Sequence, residues 1–97
     1  MGQKDQDLYS YLADRIAQAE AGRADALYDL GLLYSTGQGV EQNLVEAHKW
    51  FNLAAIRGVR RAAVDRCDVA QELTRFDIEE AQKQARQWLT VHPSMTH

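Results

Sequence analysis

Gly22 and Gly58 stand 36 residues apart, and the same offset pairs Ala19 with Ala55, Ala26 with Ala62, Asp29 with Asp65 and Leu33 with Val69. Glu46-Ala47-His48-Lys49 returns as Glu80-Ala81-Gln82-Lys83 at an offset of 34. A period in the mid-thirties has room for two helices and their turns, which is the unit of a helical-hairpin solenoid. No stretch alternates apolar and polar residues as a strand does, and Ala, Leu, Gln, Glu and Arg, all good helix formers, dominate the chain. The expected class is therefore all-α: antiparallel helical hairpins stacked as a short α-solenoid of about five helices.

Glycines punctuate the pattern, because Gly22, Gly37, Gly39 and Gly58 fall where helices can end. The first helix is expected from about Asp5 to Ala21, with Leu8, Leu12, Ile16 and Ala19 on one stripe. The second, from about Ala24 to Thr36, places Leu27, Leu30, Gly31 and Tyr34 on one face. The third begins at Asn43, which can cap it, with Glu46 three residues on in a capping-box pattern, and carries Leu44, Ala47, Phe51, Ala54 and Ala55 with Trp50 beside them. The fourth runs from about Val59 to Leu73 through Ala62, Ala63, Cys67 and Ala70. The fifth has Thr74 as N-cap and Asp77 at the third helical position. Its stripe is Ile78, Ala81, Ala85, Trp88 and Leu89, and it should stop near Val91 because Pro93 disfavours helix at His92. Short turns make sequential helices antiparallel neighbours.

The chain's 97 residues suit a single domain over 1–97, with 45% hydrophobic and 26% charged residues, a balance that argues against disorder. A net charge of −3 gives no general attraction to nucleic acid or to an anionic membrane. Cys67 is the only cysteine, which excludes an intrachain disulfide and a Cys-based zinc finger. The opening residues are polar and no run approaches the length of a bilayer span, so the expected location is the cytoplasm.

A more specific signal lies in Ala24-Asp25-Ala26-Leu27-Tyr28-Asp29-Leu30-Gly31-Leu32-Leu33-Tyr34, then Gly37-Gln38-Gly39-Val40, Glu46-Ala47-His48-Lys49-Trp50-Phe51-Asn52-Leu53-Ala54-Ala55 and Gly58. This series resembles one complete Sel1-like repeat, a relative of the tetratricopeptide repeat, over about residues 24–58. The resemblance implies partial units on either side, a capping segment from Leu73 to Gln82 and a bacterial-looking protein; the residues past the fifth helix, about 92–97, are expected to be a flexible tail. A glycine in mid-helix costs about 1 kcal/mol relative to alanine. Gly31 is therefore expected where a partner helix packs too close for a side chain, with Tyr34, Trp50 and Phe51 filling the space between layers.

The residues do not point to an enzyme. No nucleophile elbow, phosphate-binding glycine loop or His-x-x-x-His pair is present, and no cofactor or metal is expected. His48 reads as a surface histidine and His92 and His97 as tail residues, while Cys67 reads as a small core side chain. Arg57, Arg60, Arg61 and Arg66 read as a solvated helix terminus, with a rim for an acidic partner as the next reading. In the family that the chain resembles, the first helix of each pair lines the concave face. That implies a partner-binding surface of Asp25, Tyr28, Leu32 and Ser35, joined by Arg61, Val64, Asp68 and Gln71. The expected function is non-catalytic binding of a protein or peptide partner, with homodimerisation as a way to cover an open end. The alternative is a small helical regulator or inhibitor of one specific enzyme.

Overall fold

The hairpin pattern is borne out by five α-helices: α1 (Gly2–Glu20), α2 (Ala24–Thr36), α3 (Leu44–Ile56), α4 (Arg60–Ala70) and α5 (Arg75–Val91). The structure is a computed structural model that describes residues 2–93, with side chains from residue 7 onward, and no strand occurs among them. Local chemistry sets the ends of the helices. Gly37 closes α2 in the left-handed conformation, at φ 74°, and its N–H donates to the Leu33 carbonyl at 2.8 Å. Thr74 and Asp77 form a full capping box at the start of α5, each side chain accepting the other's backbone N–H. At α3 the box is only half made. Asn43 accepts from the Glu46 N–H at 3.1 Å, but the Glu46 carboxylate turns to Lys49 at 2.6 Å, and the Asn43 N–H donates instead to the Tyr34 carbonyl.

α3 is the hub. It packs against α2, α4 and α5, whereas α1 leans mainly on α2. Being covered from three sides, α3 buries Ala47, Trp50, Phe51, Leu53 and Ala54, so Leu53 belongs to the core although it lies off the expected stripe. α1, with one main neighbour, buries Ala19 but leaves Leu8 and Ile16 of its stripe 37% and 40% exposed. α5 departs from sequential pairing, since it lies against α3 and not closely along α4.

The expected close approach at Gly31 exists, but a ring makes it rather than a backbone. A Cβ at Gly31 would overlap Cδ1 and Cε1 of Phe51. Gly31 therefore serves as a socket, and Phe51, 1% exposed, fills it from α3. Tyr28 meets the same ring at a centroid distance of 5.6 Å, which completes the joint between α2 and α3.

Candidate functional site

The surface implied by the sequence is carried by the outward residues of α2 and α4. Tyr28 is half-buried, and its hydroxyl donates to Asp65 Oδ2 at 2.6 Å, which ties the two helices together. Burial, then the hydrogen bond to Asp65 and its charge, raises the Tyr28 pKa above the ordinary 10.0, so the phenol stays protonated and keeps donating. Arg61 is exposed and sits 4.0 Å from the same carboxylate. Asp25 is exposed, with Arg15 at 3.7 Å and Arg23 at 3.9 Å. Ser35 donates its hydroxyl to the Leu32 carbonyl at 3.0 Å and so serves its own helix. Asp68 and Gln71 are exposed. Leu32 and Val64 supply the apolar component, at 39% and 61% exposure.

The surface thus divides into a fixed part and a free part. Tyr28 and Asp65 hold the frame, while Leu32, Val64, Asp68 and Gln71 are open to a partner. Tyr28→Phe should cost about 1–2 kcal/mol in urea unfolding, because it removes a hydrogen bond to a charged, part-buried acceptor. An unchanged midpoint would mean that water replaces the phenol without loss.

A second ion-pair joint was not signalled by the sequence. Arg15 of α1 donates to Asp29 at 2.9 Å and to Asp14 at 2.6 Å, and its guanidinium lies 5.7 Å from the Tyr11 ring centroid. Hydrogen bonds to Asp14 and then Asp29 raise the Arg15 pKa further above its ordinary value. Asp29 and Asp65 are related by the 36-residue offset, and each accepts from a helix earlier in the chain than its own hairpin: Asp29 from α1, Asp65 from α2. The repeated Asp was visible as a match, but its role needed the neighbour to be placed.

Three assignments change. His48 is buried at 4% exposure, not on the surface, and its Nδ1 has no hydrogen-bond partner, as is true of Trp50 Nε1. Its place on α3 explains this, since the hub helix is covered on the side where a lone hairpin would be open. Cys67 is exposed rather than in the core, because no helix lies over it as α3 lies over Gly31. His92 is held rather than loose: Nδ1 lies 2.8 Å from the Trp88 carbonyl oxygen, Nε2 lies 2.5 Å from Glu20, and the ring stacks on Trp88 at 3.7 Å. His97 lies outside the described residues. Among those residues no three His, Cys, Asp or Glu side chains group to hold a metal ion, and no helix is long and apolar enough to cross a membrane.

Stacked α-hairpins with a glycine socket and an outward face on the first helix of the pair define a helical-repeat module. Residues 24–59 match the family model of the Sel1 repeat, so this stretch of the chain is similar to one repeat of that family. Its fold is similar to that of c5321, a protective antigen of uropathogenic Escherichia coli strains displaying an SLR fold, with a TM-score of 0.85 at 24% identity. That match covers 92% of this chain and 20% of c5321, so the chain spans about a fifth of the neighbour's length. A search of curated proteins finds no significant match. Repeats of this kind are generally non-catalytic protein-interaction modules.

Proposed function

We propose that this protein is a non-catalytic binding module that takes a protein or peptide partner on the outward face of α2 and α4. One observation carries the reading: Leu32 and Val64 remain exposed on two helices that the Tyr28–Asp65 hydrogen bond fixes to each other. An apolar side chain on a rigid frame gives up little conformational entropy when it is covered, which favours its use as an anchor. The polar residues around it, Asp25, Ser35, Arg61, Asp68 and Gln71, supply a rim that selects the partner by charge and hydrogen bonding.

The test is a random peptide library selected on the purified protein, followed by titration of the enriched sequences against wild type and Leu32→Asp. The expected outcome is a related set of peptides whose affinity falls about tenfold or more with Leu32→Asp. The thermal midpoint should fall only modestly, since Leu32 is 39% exposed and Asp is a weaker helix former than Leu. Selection of no related set, or peptides indifferent to Leu32→Asp, would overturn the reading.

A further inference from the structure

α4 carries its charges against its own dipole. Arg57, Arg60 and Arg61 cluster at its N-terminal end and are exposed, while Asp68 and Glu72 are exposed at its C-terminal end. The first turn holds no acid and the last turn no base. A helix favours the opposite order, because its N-terminus is the positive end of the macrodipole and its C-terminus the negative end. Nor do neighbours within the chain offset the arrangement. Arg57, Arg60, Asp68 and Glu72 have no side-chain ion pair among the described residues, and the nearest acid to Arg61 is Asp65 at 4.0 Å, which already accepts from Tyr28.

The same helix is short of a packing partner. Gly31 of α2 is covered by Phe51 of α3, but its counterpart at the 36-residue offset, Cys67, is exposed, since α5 lies on α3 instead of along α4. Val64 stands open beside it at 61% exposure.

We propose that the outer face of α4 is the interface of a homodimer in which two copies pack their α4 helices antiparallel about a two-fold axis near Val64. The inference rests on the reading that this repeat surface binds protein, and it names the occupant of the α4 half. A second copy is the partner that the charge order fits. Antiparallel alignment brings Arg61 of each copy to Asp68 of the other, and sets the positive end of each helix dipole beside the negative end of its mate. Parallel alignment would set like charges together, so the orientation is fixed as well. The α4 helix is 11 residues, about 16 Å, long, so the interface is small and the dimer weak and salt-sensitive. The α2 half, with Leu32, stays free for another partner.

The experiment uses sedimentation equilibrium together with cross-linking by a flexible bismaleimide, which reports only on Cys67 because the chain has no other cysteine. The expected result is a covalent dimer whose yield rises with protein concentration and falls with salt. Arg61→Glu alone and Asp68→Arg alone should each lower the yield about tenfold, because each sets two like-charged pairs across the axis. Mixing the two variants should restore it, since the mixed dimer has an attractive pair on both sides of the axis. The proposal is overturned by a monomeric mass up to millimolar concentration, or by a mixture that cross-links no better than either variant alone. A monomer would leave the peptide reading standing, whereas a dimer would confine it to the α2 half, where Leu32 reads it.

Discussion

Phe51→Ala is expected to lower stability by about 3–5 kcal/mol in urea titration, enough to remove much of the folded population of a chain this size. The ring is 1% exposed, fills the socket at Gly31 and meets Tyr28 at 5.6 Å, so its loss opens a cavity between α2 and α3. The glycine side of the joint makes the test sharper. Gly31→Ala would normally gain about 1 kcal/mol of helix propensity. Here its Cβ overlaps the Phe51 ring, and overpacking of this kind costs about 1–3 kcal/mol, so the net change should be destabilising. In a Phe51→Leu background the overlap is relieved, and Gly31→Ala should then become neutral or stabilising. The difference between the two backgrounds is a coupling of about 1 kcal/mol or more. If Gly31→Ala raises the midpoint of the wild-type protein, the ring contact is not the reason for the glycine.

That joint also marks how far the sequence could be read. The five helices, their ends at Gly37 and Thr74, and the family pattern follow from local chemistry, which the residues state directly. Gly31 announced a close approach, but a helical pattern does not say whether a ring or a backbone makes it. His48 and Cys67 were misplaced for a single reason. Burial depends on how many helices surround a helix, and periodicity reports only that one face is apolar. α3 has three neighbours, so His48 is enclosed; α4 lacks the helix that would cover its outer side, so Cys67 is open. The candidate surface was legible as a set of positions, because the hairpin offset places them on the first helix of each pair. What was not legible is that Tyr28 is committed to Asp65, a contact between residues 37 apart, which leaves Leu32 and Val64 as the free apolar groups.

The two described histidines should give the fold opposite responses to acid, and single substitutions should separate them. Burial, and then the positive charge of Arg66, pushes the His48 pKa below its ordinary 6.5. The unfolded chain then binds a proton that the folded chain resists. The stability that His48 contributes is complete above pH 6.5 and is lost as pH falls through the depressed folded value. At His92 burial also pulls downward, but the hydrogen bond to Glu20, the Trp88 carbonyl and the Glu20 charge outweigh it and leave the pKa raised. Its contribution is complete below pH 6.5 and is lost as pH rises through the raised folded value. The wild-type response is therefore a partial cancellation. His92→Gln should expose the loss due to His48, with stability falling more steeply than wild type between pH 8 and pH 5. His48→Leu should do the reverse: it removes a buried nitrogen that has no partner, is neutral or stabilising near pH 8, and leaves stability rising toward pH 5. Urea midpoints at three pH values for the three proteins decide the matter. If the His92→Gln curve runs parallel to wild type, the contact between Glu20 and His92 does not hold the end of α5 to α1 in solution.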